Sequence, residues 1–257
     1  MMTRRIATQI GYPLAGTLLL IALWTFLCVY FNVPTVVLPT PDKVLYAFIA
    51  RFDLIWSEGW ITLKETLYGF ILALVIGIPM AVAVANSRAM NLMFYPLLIG
   101  LQSVPKVALA PIVLVWLGTG IESKLAIVWL VAFFPIIVDT VAGLRSTPRE
   151  LLELARSLRA SPMQVFLKVQ LPAALPFIFT GAKVAITLAV IGAVIGEFIG
   201  SSEGLGFLLL SATSQLDSPL AFAALFALSF LGMFVYLLVE LAERLAAPWL
   251  PPAPQRH

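Results

Sequence analysis

Six long apolar stretches, separated by short polar segments, restrict this chain more than any other feature of its sequence. They run over about residues 12–31, 63–85, 92–117, 125–144, 176–199 and 220–245. A helix of about 20 apolar residues crosses the hydrocarbon core of a bilayer. Only 11% of the 257 residues are charged, whereas soluble domains have about 25%. The sequence therefore predicts an all-α, polytopic membrane protein with six transmembrane helices.

The first apolar stretch is predicted to remain in the protein as a span. Arg4 and Arg5 precede it, as in a signal peptide, but it is too long for the apolar region of one, and no small-residue cleavage site follows. Prolines between residues 34 and 41 then end regular structure. From Pro41 to about Phe52 the pattern indicates a short amphipathic helix on the outer side.

Prolines and a glycine interrupt the third stretch at Pro96, Gly100, Pro105 and Pro111. This span is expected to be bent or broken at depth, which is tolerated only where protein or a water-filled cavity covers the backbone. Residues 200–219 contain an apolar piece too short to cross the membrane. It is predicted to form a re-entrant or interfacial helix on the outer side.

The distribution of basic residues predicts that both termini are cytoplasmic. With six spans, the basic residues that fall inside are Arg4, Arg5, Arg88, Arg145, Arg149, Arg156, Arg159, Lys168, Arg244 and Arg256. Those that fall outside are Lys43, Arg51 and Lys124, with Lys64 at the edge. This asymmetry agrees with the positive-inside rule.

Residues 145–176 form the only long polar-rich island between apolar stretches. It contains two capping-box patterns, Thr147-Pro148-Arg149-Glu150 and Ser161-Pro162-Met163-Gln164, each with proline at the first helical position. They predict one helix from about Pro148 to Arg159 and another from Pro162 to about Val169. Leu171-Pro172 is expected to prevent easy continuation of the second helix.

Both predicted short helices are amphipathic and too short to span a bilayer. An apolar face with a charged rim suits docking of another protein at the membrane surface. It equally suits a pair of helices lying on lipid headgroups, which the arginines would also favour. The sequence pattern leaves these two alternatives open.

Charged side chains within the spans are costly, and each could line the pathway, belong to a structural ion pair or, for a lysine, snorkel to the membrane surface. These candidates for the translocation path are Lys106, Asp139, Lys183 and Glu197. Lys183 and Asp139 enter the membrane from the same side, so Asp139 could neutralise Lys183. Glu197 lies near the outer end of the fifth span, where it could simply face water.

Gly192, Gly196 and Gly200 recur at every fourth position of the fifth span. This small-residue face allows close helix packing. The pattern leaves open whether the packing partner lies in the same chain or across a dimer axis.

Several classes of function are excluded or disfavoured. The single cysteine, Cys28, and the single histidine, His257, exclude disulfides, zinc sites and Cys/His catalysis. No G-x-x-x-x-G-K-[ST] pattern is present, so no nucleotide cofactor is expected on this chain and any ATP-driven work must come from another one. The basic residues form no aromatic-interleaved patch for nucleic acid.

Three other functions remain as rivals to ATP-driven transport. A secondary carrier needs ion-coupling acids near the midplane and usually a repeated half, and here only Asp139 fits. An intramembrane enzyme needs a nucleophile with a base or a cluster of metal ligands. A scaffold protein leaves the proline-broken, charged spans unexplained.

The polar island resembles the EAA loop of ABC importer permeases. That family pattern is E-A-A, three residues, G, nine residues, I-x-L-P, and here it reads Glu153-Leu154-Ala155, Arg159 and Val169-Gln170-Leu171-Pro172. Leu154 replaces the first alanine, and Arg159 stands at the usual glycine position. In the family, this loop is the coupling element that sits in a cleft of the cytoplasmic ATPase.

The resemblance implies ATPase coupling for the following residues: Glu150, Glu153, Ala155, Arg156, Arg159, Ala160, Ser161, Pro162, Leu171 and Pro172. It implies a single transmembrane permease domain over 1–257, with a core at 60–249, a coupling loop at 145–171 and the type I ABC importer permease fold. It also implies a homodimer in the bacterial inner membrane, embedded among lipids. A pair of cytoplasmic ATPases would bind ATP and Mg²⁺, and a periplasmic or lipid-anchored binding protein would deliver the solute. The chain itself is not expected to be an enzyme.

The resemblance extends over roughly residues 34–249. Residues 105–111 with Trp116-Leu117-Gly118, Phe134-Pro135-Ile136, and Glu197 with Gly204-Leu205-Gly206 are similar to the nitrate, sulfonate, taurine and bicarbonate branch. That branch includes permeases for pyrimidine thiamine precursors and for riboflavin.

The fifth span bears on the solute. Sulfonate-type members usually carry Arg and Trp where this chain has Lys183 and Val190, and the run 185–198 is more similar to the pyrimidine and riboflavin group. A heterocycle of that kind is the favoured solute. A small anion, namely a sulfonate, taurine, nitrate or bicarbonate, is the alternative.

Overall fold

The computed structural model describes residues 2–246, with side chains from residue 11 onward. The α-helices within that range are α1 Met2–Tyr30, α2 Pro41–Ala50, α3 Phe52–Asn86, α4 Arg88–Gln102, α5 Ala110–Leu117, α6 Ile121–Arg145, α7 Arg149–Ser157, α8 Pro162–Val165, α9 Leu171–Gly200, α10 Leu205–Ser214 and α11 Ser218–Ala246. A 3₁₀ segment, Lys106–Leu109, precedes α5, and a π-helical turn, Phe166–Gln170, joins α8 to α9. Arg256 and His257 lie outside the described residues.

The described helices confirm the predicted all-α membrane architecture. Five are long and apolar enough to cross a bilayer: Gly11–Tyr30 within α1, α3, α6, Pro162–Gly200 and α11. A sixth span is counted when α4 and Lys106–Leu117 are taken together, although these two pieces are bent by 92°. The predicted short helices outside the spans, α2 and α10, are also present.

The break in the third span occurs where the sequence predicts it. Helix α4 ends at Gln102, and Pro105 has extended backbone before the 3₁₀ segment begins at Lys106. Proline has no N–H to donate and disfavours helical backbone in the residue before it. Pro105, followed by Pro111 at the start of α5, therefore favours two short helices over one straight span.

Helix α6 lies at the centre of the bundle, between α3 and α9. Glycines on α3 and α9 permit close contact with α6, because a side chain at those positions would meet α6 at or within van der Waals distance. A Cβ at Gly192 would lie 3.0 Å from Val128 Cα, and one at Gly196 would lie 3.5 Å from Lys124 Cα. Gly200 faces Leu114 of α5. The small-residue face of α9 thus packs within this chain.

The expected stop at Leu171-Pro172 is wrong. One continuous helix covers Pro162–Gly200, 39 residues, so the helix that contains the fifth span begins well before the predicted Pro176. The π-helical turn explains this, because the Leu171 N–H reaches back to the carbonyl of Phe166. The widened turn sits where Pro172 cannot donate, and it allows the chain to continue helically.

Only one of the two predicted capping boxes forms. Ser161 Oγ accepts from Gln164 N at 3.3 Å, and Gln164 Oε1 accepts from Ser161 N at 2.9 Å, which confirms that box. The box predicted at Thr147 does not form, because Pro148 is the N-cap of α7 and no side chain caps that helix. The buried Thr147 hydroxyl instead donates to the carbonyl of Leu144 at 3.1 Å. That hydroxyl extends the end of α6 rather than capping α7, which begins at Arg149 after Pro148.

The bundle has two distinct ends. Helices α7 and α8 lie at one end, together with the C-terminus of α6 and the start of α9; this is called the α7–α8 end below. The other end, called the α2–α10 end, holds an apolar cluster to which α2, α3, α10 and α11 contribute Val44, Ile55, Leu205, Leu208 and Leu228.

Candidate functional site

Helix α7 presents an amphipathic surface at the α7–α8 end. Ala155 is buried against the bundle, whereas Leu151, Leu154 and Leu158 are exposed. Leucines left exposed beyond the spans mark a surface suited to contact with another molecule. Beside them lies an apolar notch of about 350 Å³, lined by Leu151, Leu154, Ala155, Leu158, Lys168, Val169, Pro172 and Ala173.

The chain turns between α7 and α8 at Arg159. This residue has φ +53°, in the left-handed region that glycine adopts most easily. Its N–H donates to the carbonyl of Arg156 at 2.9 Å, and the Ala160 N–H donates to that of Ala155 at 3.0 Å. The chain therefore makes a tight corner despite the arginine, and Ser161 and Pro162 start the next helix.

The remaining residues predicted for ATPase coupling lie around this corner. Glu150, Glu153, Arg156, Ser161 and Pro162 are exposed, whereas Ala160, Leu171 and Pro172 are partly buried. The exposed members could contact a partner without rearrangement of the helices. Their coupling role stays a prediction.

The expected neutralisation of Lys183 by Asp139 is wrong. Lys183 Nζ on α9 pairs with Glu243 Oε2 on α11 at 2.5 Å. Residues two apart on a helix point about 200° apart. Because Gly181 faces α6, Lys183 is turned away from α6 and toward α11.

Asp139 packs against the glycine on α9 that faces it. A Cβ at Gly181 would lie 2.9 Å from Asp139 Cβ and 3.1 Å from Asp139 Oδ2. Among residues 11–246, no donor hydrogen-bonds to this carboxylate and no cation pairs with it. Asp139 therefore remains a candidate for contact with water or solute.

Lys106 lies at the break of the third span. Its Nζ donates to the carbonyl of Gln102 at 3.3 Å and lies 4.8 Å from the centroid of the Phe134 ring. Within the described side chains, no carboxylate comes within salt-bridge distance of it. A partly exposed, uncompensated ammonium group at a broken span fits a polar cavity.

Glu197 is fully buried, so the expectation that it could face water is wrong. Its Oε1 accepts from Thr62 Oγ1 at 2.7 Å, and its Oε2 accepts from the N–H of Gly206 at 2.6 Å. Thr62 Oγ1 accepts in turn from the N–H of Leu205 at 2.8 Å. Helix α9 directs Glu197 inward because α3 and the start of α10 pack over that face.

A buried ion pair beside Glu197 was not predicted. Lys124 Nζ on α6 contacts Glu65 Oε1 on α3 at 2.7 Å, and the two residues are only 5% and 2% exposed. Lys124 was expected on the outer side, and it lies in the first turn of α6, at the α2–α10 end. One signal in the sequence could have indicated the pair: Glu65 is an acid inside a predicted span, and such a residue requires a partner.

Two polar centres therefore occur in the bundle, in addition to Asp139 and Lys106. One, at the α2–α10 end, joins Thr62, Glu65, Lys124 and Glu197, and the other is the Lys183–Glu243 pair. Among residues 2–246, no group of three or more His, Cys, Asp or Glu residues is placed to hold a metal ion.

A helical membrane bundle with internal charges, one broken span and an exposed amphipathic helix pair at one end defines a membrane transport subunit. The family model described as "Binding-protein-dependent transport system inner membrane component" matches residues 73–249, and the chain belongs to that family. It is the transmembrane permease subunit of an ABC importer.

Curated relatives match nearly the whole chain. A probable ABC transporter permease protein of Haemophilus influenzae is 34% identical, with 89% of this chain and 93% of that protein covered. The formylaminopyrimidine transport permease protein ThiX of Halalkalibacterium halodurans is 36% identical, covering 92% of this chain and 95% of that protein. The riboflavin transport system permease protein RibX of Chloroflexus aurantiacus is also 36% identical, covering 93% and 90%.

A solved structure supports the fold. A chain of the MetNI methionine ABC transporter in inward-facing conformations aligns with a TM-score of 0.66 at 22% identity, covering 79% of this chain and 99% of that one. A second crystal form aligns with a TM-score of 0.57. At this identity, the likeness bears on the fold alone.

Proposed function

We propose that two copies of this chain form a translocation path, that the α7–α8 end binds a cytoplasmic ABC ATPase, and that a substrate-binding protein delivers solute at the α2–α10 end. The single observation that carries the docking role is the exposed corner of α7 and α8. It places Leu151, Leu154 and Leu158 in the open beside an apolar notch. The residues from about 147 to 170 are then the mechanical link to the ATPase.

The orientation in the membrane follows from the basic residues at the α7–α8 end. Arg149, Arg156, Arg159 and Lys168 all lie in the segment around α7 and α8, and cytoplasmic loops are enriched in such residues. The α7–α8 end therefore faces the cytoplasm in this proposal. Both termini are cytoplasmic as well, in the bacterial inner membrane.

ATP is hydrolysed by the partner and not by this chain. The absence of a phosphate-binding loop pattern from the full sequence supports this division of labour. Closure of the ATPases on ATP and Mg²⁺ moves the α7–α8 corner, and the two subunits shift between inward and outward access. The permease has two conformations in the membrane, and nucleotide binding to the ATPases shifts the equilibrium between them.

The favoured solute is a pyrimidine thiamine precursor or a riboflavin-like heterocycle. The names of the ThiX and RibX relatives support it. So does the ion pair of Lys183 with Glu243, because a neutralised lysine attracts a small anion less strongly. Lys106, without a carboxylate partner among the described residues, favours the alternative of a small anion such as a sulfonate, taurine, nitrate or bicarbonate.

The test is purification of the chain from its native membrane in mild detergent. Mass spectrometry identifies the co-purifying proteins, and ATP hydrolysis is assayed on the sample. We expect an ABC ATPase to co-purify with the wild-type chain. Because Glu153 is exposed on α7, Glu153→Lys should detach or uncouple it while the protein stays inserted.

A matched control makes the same charge change elsewhere. Glu122 is exposed in the first turn of α6, at the opposite end of the bundle, and Glu122→Lys should leave the ATPase bound. Equal ATPase recovery from the wild type and the Glu153→Lys variant would refute the docking role. Recovery of the chain alone, without ATPase activity, would instead favour a secondary carrier.

A further inference from the structure

The start of α10 is held by side chains from two other helices. The N–H groups of the first helical residues have no partners within their own helix and need acceptors elsewhere. Here three consecutive N–H groups are all taken up. Gly204 N–H donates to Glu58 on α3, Leu205 N–H donates to Thr62 on α3 at 2.8 Å, and Gly206 N–H donates to Glu197 on α9 at 2.6 Å.

Glycines allow the backbone to approach these acceptors closely. Gly204 has φ +101°, and a Cβ there would collide with the carboxylate of Glu197. A Cβ at Gly206 would lie 2.7 Å from Glu197 Oε2. The contact is therefore one of backbone against the carboxyl group of Glu197, which accepts an N–H that has no partner within α10.

The same network reaches the central helix. Lys124 on α6 pairs with Glu65 on α3 at 2.7 Å, one helical turn from Thr62 on the same helix. Thr62, Glu65, Lys124 and Glu197 are between 0% and 5% exposed. If one of these contacts broke while the groups stayed buried, polar atoms would be left without partners, which carries a large cost.

We infer that Glu58, Thr62 and Glu197 are positioning residues that fix α10 to the α3–α6–α9 core, so that these four helices move as one rigid body during transport. This inference rests on the proposed transport cycle. Opening at the outer end then takes place between helices that this network does not join, and α10 stays in contact with α9.

The first test needs only the full-length chain in detergent. Hydrogen exchange measured by mass spectrometry should show slow exchange of the amides at 204–206. Glu197→Ala should speed exchange at Gly206 by about 10- to 100-fold, as expected when a buried amide loses its hydrogen-bond acceptor. Thr62→Ser, which keeps the hydroxyl, should preserve slow exchange at Leu205, whereas Thr62→Val should not. Fast exchange of these amides in the wild type would overturn the inference.

The second test asks whether α9 and α10 separate during the cycle. In a Cys28→Ala background, Glu197→Cys and Gly206→Cys replace one hydrogen bond by a disulfide. The Cβ atoms are about 3.1 Å apart when a Cβ is built at Gly206, so only a small shift brings them to the usual spacing. The readout is ATP turnover by the chain with its ATPase in lipid nanodiscs, before and after reduction.

Under the rigid-body inference, the oxidised complex turns over ATP at least as fast as the reduced one. A block on oxidation that reduction relieves would overturn the inference, because it would mean that α10 must leave α9. Failure of the proposed function gives a different result. In that case even the wild-type chain recovers no ATPase, and the exchange measurements still decide whether α10 is fixed.

Discussion

Removal of the Lys124 ammonium group is expected to be among the most damaging single changes in this bundle. Lys124 is 5% exposed and its partner Glu65 is 2% exposed, with 2.7 Å between Nζ and Oε1. Lys124→Met keeps an apolar stem of similar length but leaves the Glu65 carboxylate buried without its cation. Breaking a buried pair in this way costs about 3–5 kcal/mol. The ratio of folded to unfolded protein should therefore fall on the order of 10² to 10³-fold.

The assay is reversible unfolding of the purified chain in mixed micelles, with a rising fraction of SDS followed by tryptophan fluorescence. Lys43→Met is the matched control, because Lys43 is exposed on α2, and it should change the unfolding free energy by no more than about 0.5 kcal/mol. The double variant Lys124→Met with Glu65→Leu should recover most of the loss, because replacing both members by apolar groups is often neutral.

Two results would refute this reasoning. One is a loss below about 1 kcal/mol for Lys124→Met, which would mean that water or another group compensates Glu65. The other is a double variant less stable than Lys124→Met alone, since the penalty would then not come from the unpaired carboxylate.

Three further predictions test other parts of the molecule. Lys183→Ala should lower ATP turnover by the reconstituted transporter without loss of assembly, as should Glu243→Gln, and loss of the folded dimer would instead assign this pair a structural role. Gly181→Ala should destabilise the chain by about 1–3 kcal/mol through overpacking against α6, whereas Gly232→Ala, with open space around it, should be neutral or slightly stabilising in the same SDS titration. Arg159→Gly should raise the unfolding free energy by about 1 kcal/mol by relieving the left-handed backbone, and an unchanged value would show that Arg159 is not strained.

Much of the fold could be predicted from the sequence because it follows from local patterns. The lengths of the apolar stretches gave the spans, Pro105 and Pro111 indicated the broken third span, and Ser161 with Gln164 indicated the second capping box. Each of these depends on residues within a few turns of one another. A local pattern also explains the left-handed Arg159, which stands where the family pattern has glycine.

The errors near α7 and α9 have physical causes. Thr147 carries the side chain of a good N-cap, but it is buried at the end of α6, where its oxygen does not reach an N–H of α7 and its hydroxyl donates to Leu144. Tertiary position overrides local preference here. Pro172 is a strong helix breaker in isolation, yet a single π-helical turn accommodates it. Neither the burial of Thr147 nor the widened turn before Pro172 can be predicted from the neighbouring residues alone.

The candidate site was predicted only in part. The sequence alone determined that this is a helical membrane protein with an amphipathic polar corner between its fourth and fifth spans, because periodicity, length and charge asymmetry are properties of short segments. Only the tertiary structure decided which buried charges meet. Glu65 and Lys124 are 59 residues apart and Thr62 and Glu197 are 135 apart, and such pairs depend on how three helices pack and rotate about their axes.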